Sequence, residues 1–184
     1  MTREEALRLL KQNLFNQNLI KHCLAVESVM RALARHFQED EDKWGMAGML
    51  HDVDYEKTKD NPSQHSLVGA EMLEEAGLDK EIYQAIKAHN EAHGIPLNTL
   101  MDKALFAVDP LTGLIVAATL VLPSKKIADL TAENVLNRFH EKSFAKGANR
   151  KIIGRCEKLL NIKLEEFADI GLKAMQQISN ELGL

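Results

Sequence analysis

Apolar residues recur along this chain at spacings of three and four, and no stretch alternates convincingly as a strand would. The pattern predicts helices throughout. The first opens at Thr2, where Glu5 completes a capping box, and its apolar positions include Ala6, Leu9, Leu10, Leu14 and Phe15. A second covers about 18–37 and carries His22 on the same inward face as Val26, Val29 and Leu33. The acidic run 39–42 reads as a solvated turn before a third helix at about 43–50, at whose end His51 and Asp52 stand side by side. Asn61, Pro62 and Ser63 form a loop and cap ahead of a helix over about 64–75, which Gly77 ends. Asp79 caps the next helix, which bears His89 near its end, and 94–96 form a turn.

Asn98 then caps a long apolar helix over about 99–121. Pro110 lies inside it, removing one backbone donor and bending it beside Asp109. Thr131 with Asn134 opens a helix ending near Gly147, and two further helices cover about 149–160 and 164–182. In the last, Leu172, Met175, Ile178 and Leu182 are core or interface positions. No repeat, low-complexity tract or long linker divides the chain. The expectation is one all-α domain over 1–184, with a core at about 18–121 and the C-terminal helices 124–184 packed on it.

Composition narrows this further. A chain of 184 residues can bury about 70% of the surface its unfolded form exposes. A net charge of −4 gives no global electrostatic case for a nucleic-acid polymer as partner. Cys23 and Cys156 are far apart and form no CxxC pair, so two buried reduced thiols are expected. The start of the chain has acids and no long apolar run, and the longest apolar stretch, 114–122, is too short to span a bilayer. A cytoplasmic protein with no membrane partner is the expectation.

Chemistry concentrates in His22, His51, Asp52, His65, His89 and Asp109. Four imidazoles and two carboxylates suffice for two metal ions, and the mixed donor set points to Fe, Mn or Zn, with Mg or Ni as further candidates. A structural zinc site would normally use cysteines. A lone histidine on an apolar helix face is more often a hydrogen-bonded core residue than a ligand. His36, His93 and His140 read as surface or structural residues, with His93 the best spare ligand.

The order and flanks of these residues resemble the HD-domain superfamily of metal-dependent phosphohydrolases. His22 stands in "IKHCLAVESVM", His51-Asp52 in "MAGMLHDVDYE" and Asp109 in "KALFAVDPLTGLI". His65 in "SQHSLVGAEML" and His89 in "IYQAIKAHNE" resemble the additional histidines of the binuclear branch. The resemblance implies a helical bundle with the site in its core. It implies that His22, His51, Asp52 and Asp109 hold one divalent ion, and that Asp52 bridges to a second held by His65 and His89. Hydrolysis of a nucleotide or other small phosphorylated metabolite would follow, through a metal-activated water, with Asp52 and Asp109 as catalytic residues. A di-iron oxygenase and a non-catalytic metal-binding sensor are the alternatives.

The chain departs from many HD phosphodiesterases in having Asp54-Tyr55 where they have Gly-Lys, and in lacking their downstream Gly-Tyr-Pro. Cyclic-dinucleotide cleavage is therefore not expected. Asp54 reads as the cap of a short helix, and Lys57 as a replacement for the missing lysine. Arg138, Lys142 and Lys146 are spaced to share one helix face, near Arg150 and Lys125-Lys126. That row is either a solvated face or a clamp for substrate phosphate.

Overall fold

The stripe from Ile20 to Ala34 builds the helix on which much of the chain packs. In the computed structural model, which describes residues 1–184, this is α2 (Gln17–Phe37), preceded by α1 (Arg3–Asn13). The Asn16 side chain accepts the Asn18 N–H at the start of α2, and Gln38 ends it in the left-handed region. Helix α3 (Glu41–Leu50) is buried continuously from Trp44 to Leu50 and packs along α2. Its all-round apolarity is what a fully enclosed helix requires. The two backbones meet most closely at Gly48, where a Cβ would lie 2.9 Å from the Glu27 backbone. Gly48→Ala is expected to cost about 1–3 kcal/mol by forcing the helices apart. Chemical denaturation reads this, and an unchanged midpoint would show that α3 shifts freely.

After α3 come α4 (Tyr55–Thr58), α5 (Leu67–Glu75), α6 (Lys80–His89) and the long α7 (Leu100–Leu120). Then follow α8 (Ala132–His140), α9 (Arg150–Ile153), α10 (Cys156–Leu160), α11 (Leu164–Gln177) and α12 (Ser179–Leu182). There is no strand, so the fold is all-α as the periodicity predicts. Helix α7 packs against α2 and α6, and α11 packs against α2, α7 and α8. One apolar cluster runs through both halves of the chain, joining Val26, Leu50 and Leu105 to Cys156, Phe167 and Met175. Both cysteines are buried and unpaired. Burial raises both thiol pKa values, that of Cys156 to about 11.

Several boundaries differ from the sequence expectation. Asp40 caps α3 through the N–H groups of Asp42 and Lys43, starting it two residues early. The cap of α7 is Thr99 rather than Asn98, because the Asp102 carboxylate reaches back to the backbone N–H groups of both. The single helix expected over 64–75 is a short 3-10 turn, Pro62–Gln64, then α5, with His65 and Ser66 in the link and Ser66 at φ 70°. The helix from Thr131 stops at His140 instead of near Gly147, and the last two helices are each broken, at Gly154-Arg155 and at Ile178. Helix α7 as a whole is long and apolar enough to cross a membrane by length and composition, which the shorter run 114–122 did not suggest. In this fold 61% of its most apolar window is buried against the rest of the chain.

Candidate metal centre

All six chemically notable residues meet at one point in the bundle, around the Asp52 carboxylate. Its Oδ2 lies 3.8 Å from His22 Nε2 and 3.5 Å from His51 Nε2. Its Oδ1 lies 3.3 Å from His65 Nε2 and 3.7 Å from His89 Nε2. Asp109 Oδ1 closes the first side, 3.0 Å from His22 Nε2 and 3.9 Å from His51 Nε2. Each oxygen of Asp52 thus serves its own pair of imidazoles.

Local structure explains why every ring presents Nε2. His51 caps the C-terminus of α3 and His89 is the last residue of α6. The final carbonyls of a helix lack intrahelical partners. His51 Nδ1–H donates to the Gly48 carbonyl (2.8 Å), and His89 Nδ1–H to the Ile86 carbonyl (2.6 Å). A carbonyl only accepts, so the proton must sit on Nδ1 and the Nε2 lone pair faces the site. For His22 the brace is Thr112, whose hydroxyl donates to the Asp109 carbonyl (2.9 Å) and accepts from His22 Nδ1–H (3.2 Å).

The fourth brace is Asp54. It occupies the N-cap position of α4 but makes no capping bond there, contrary to the reading of it as a helix cap. Its fully buried carboxylate instead accepts His65 Nδ1–H (2.9 Å) and the backbone N–H groups of Ser66 (2.8 Å) and Gly69 (2.9 Å). His93, the spare ligand of the sequence reading, is structural: its Nε2–H donates to the His65 carbonyl (2.7 Å). His36 and His140 are exposed.

A metal ion fits this donor set. His51 Nε2 is fully buried and has no hydrogen-bond partner. Such an orphan costs roughly 1–3 kcal/mol unless something meets it, and a cation would. The ligand atoms of His22, His51 and Asp109 lie within 4.8 Å of one another, as do those of His51, Asp52 and His89. His65 stands outside both of these tight triads but touches Asp52 directly.

The titratable groups of the site shift one another strongly. Asp52 is held far below the usual carboxylate range: burial opposes this, and the surrounding imidazoles, His51 foremost, overcome it. Burial pulls His89 down to about 4, with His51 adding to the effect, so His89 is neutral at physiological pH. Burial also acts against protonation of His65, yet its bonds to Asp52 and Asp54 push it up to about 10. In the metal-free protein the His65 contribution to stability is therefore complete below pH 6.5 and lost as pH rises through about 10. An ion held by His65 near neutral pH would have to displace this proton. Zinc added to metal-free protein in weak buffer should release protons, with a smaller release from His65→Ala. Equal release from the two proteins would exclude His65 from metal uptake.

The site opens on the side of His22 and Asp109, whose side chains are 23% and 35% exposed against 0% for His51. A concavity of about 310 Å³ lies there, with Pro110, Gly113, Ala145 and Ala148 among its lining. A second, of about 480 Å³, shares His22 and Gly113 and includes Lys21, Val116 and Leu120. Lys21 was not singled out from the sequence, although it adjoins His22.

The four residues expected to bind substrate are placed differently. Lys57 is exposed on α4, with its ammonium against the Met72 sulfur, and lines neither concavity. Arg138 is paired with Glu141 and stacked on Phe144. Lys142 and Lys146 do not share a helix face with it, because α8 has already ended. They lie on an exposed loop around a concavity of about 460 Å³, which shares Gly147 and Ala148 with the opening over the site. Arg150 is structural: its guanidinium donates to the carbonyls of Arg138, Phe139, Phe144, Ala145 and Ala148 and holds that loop in shape.

A bundle core with ordered His, His-Asp and Asp ligands is the architecture of metal-dependent HD proteins, and the chain belongs to that family. The HD domain family model matches residues 19–118, a span that contains all six residues around Asp52. HD domains bind divalent metals and are in general metal-dependent hydrolases. The chain is similar to Ribonuclease Y of Lawsonia intracellularis, 30% identical over 155 residues, covering 80% of this chain and 30% of that protein. Ribonuclease Y of Oleidesulfovibrio alaskensis is 31% identical over 99 residues, 54% of this chain and 19% of that one. An uncharacterised protein of Methanocaldococcus jannaschii is 34% identical over 91 residues, 47% of this chain and 52% of that one. The chain thus spans between a fifth and about half of these relatives. No solved structure matches it.

Proposed function

We propose that this protein is a phosphohydrolase using two divalent ions, acting on a nucleotide or other small phosphorylated metabolite. The observation that carries the reading is the Asp52 carboxylate, with one oxygen facing His22 and His51 and the other facing His65 and His89. When bound, the ions supply Lewis-acid activation of water and neutralise phosphate charge. His22, His51, Asp52 and Asp109 would hold one, and Asp52, His65 and His89 the other. The residues do the positioning: backbone carbonyls, Thr112 and Asp54 fix each ring, and α7 brings Asp109 to the edge of the opening. Substrate enters beside Asp109, where Lys21, Lys142 and Lys146 line or adjoin the concavities.

A second reading has its own support. Two of the similar proteins above are called ribonucleases, and Lys142, Lys146 and Lys151 line a concavity contiguous with the opening. An RNA phosphodiester is therefore the competing substrate, and the expectation of no nucleic-acid partner has no support beyond the net charge. The deciding experiment is metal analysis of anaerobically purified protein, followed by an anaerobic hydrolysis screen with nucleoside monophosphates, other phosphomonoesters and a short oligoribonucleotide. Turnover of small esters with the oligomer spared supports the first reading, and the reverse supports the second. Activity only in the presence of dioxygen would overturn both. With whichever substrate emerges, Lys142→Ala or Lys146→Ala is expected to lower kcat/KM roughly tenfold, the value of one charge-assisted hydrogen bond. Unchanged kinetics in both variants would return these lysines to a solvated surface.

A further inference from the structure

We infer that Asp54 is the positioning residue of the second metal site: its carboxylate holds the His65 Nδ1 proton, so that Nε2 is the nitrogen presented to an ion. This rests on the two-ion reading above and extends it to a residue that never touches the metal. Three of the four rings are braced by backbone carbonyls or a hydroxyl, while His65 alone is braced by a carboxylate. The reason is local. His65 is the one ligand histidine neither in nor at the end of an α-helix, in the link between Gln64 and α5, so it lacks the last-turn carbonyl that serves His51 and His89. The same carboxylate fastens that link through the N–H groups of Ser66 and Gly69. A brace from an outlying carboxylate both orients an imidazole and raises its basicity as a ligand. The departure at position 54 is thus part of the site.

The hydrogen-bond pattern makes the inference testable with one atom's change. In Asp54→Asn the side chain has one acceptor and one donor group. Turning its oxygen to Ser66 N–H and Gly69 N–H keeps two bonds and points the NH₂ at His65 Nδ1. The opposite orientation sets the NH₂ against two backbone donors to satisfy one ring nitrogen, so the first orientation wins. Nδ1 must then accept, the proton moves to Nε2, and the lone pair that would bind the ion is lost. The ring stays in place with the wrong tautomer. His51 keeps its carbonyl brace and His22 its Thr112 brace, so the first site is untouched.

The experiment is zinc titration of the metal-free protein, with the histidine tautomers read by long-range ¹H–¹⁵N NMR. Wild type should take two equivalents. Asp54→Asn should keep the first and bind the second roughly 10–100-fold more weakly, with the His65 proton on Nε2. His65→Ala should weaken the second site at least as much, and the double variant should lose nothing beyond His65→Ala. Gly69→Ala serves as a second variant that leaves the carboxylate chemically intact: its Cβ would sit 3.1 Å from Asp54 Cγ and displace the group. It should weaken the second site to a lesser degree. Retention of the first zinc and of the helical circular dichroism reports folding. If wild type takes only one equivalent, the two-ion reading falls and the inference with it. If wild type takes two and Asp54→Asn also binds both tightly, or the double variant is additive, the inference alone is overturned.

Discussion

Asp52→Ala is expected to empty both halves of the centre at once. Each of its oxygens faces a different pair of imidazoles, so its loss removes a ligand from both proposed ions and leaves their mutual repulsion unscreened. Zinc affinity should fall by more than a hundredfold at each site, beyond the 10–100-fold that loss of an outlying brace causes, and hydrolysis should be abolished. His51→Ala should abolish activity as well, whereas His65→Ala and His89→Ala should remove mainly the second ion. Metal content after dialysis, measured alongside turnover, reads all four variants. An Asp52→Ala protein that retains two equivalents would end the bridging assignment.

Phe167→Ala is the substitution expected to cost most in stability. Phe167 is fully buried on α11, far in sequence from the ligands, yet it belongs to the same apolar cluster as Val26 and Leu105. Removing a buried phenyl ring costs about 3–5 kcal/mol through lost burial and the cavity left behind. At this chain length that corresponds to a fall in Tm of roughly 10 °C. We propose that the chain unfolds as one domain, so circular dichroism and release of bound zinc should move together to the lower temperature. Zinc release that stayed at the wild-type temperature would show that 124–184 melts separately from the motif-bearing core.

That these six residues gather was legible in the sequence because each lies in or beside an apolar helical segment. His22 is the clear case, sharing the stripe of Val26, Val29 and Leu33. The caps at Thr2 and Thr131 were legible for the same local reason, since each signal lies within three residues. What sequence missed depends on distant partners. Asp54 looked like a helix cap because its true partners, at 65, 66 and 69, reach it only when the chain folds back through the turn at 62–64. Thr112 braces a ring ninety positions away. The shared helix face expected for Arg138, Lys142 and Lys146 is absent because the chain leaves the helix at His140. The irregular path that follows is stabilised by Arg150, a tertiary cause that no periodicity records.

That single guanidinium carries a consequence for how the protein can change. It grips main-chain oxygens, which every residue type provides, so the shape of the loop beside the opening is largely indifferent to which side chains the loop displays. Positions 142, 143 and 146 can be exchanged without dismantling the wall they stand on. Lysine could not replace Arg150, since three donors on one atom cannot span carbonyls that a five-donor planar fork reaches. The form of the entrance is written once, at a position bonded to backbone carbonyls alone, and its chemical character is free to diverge.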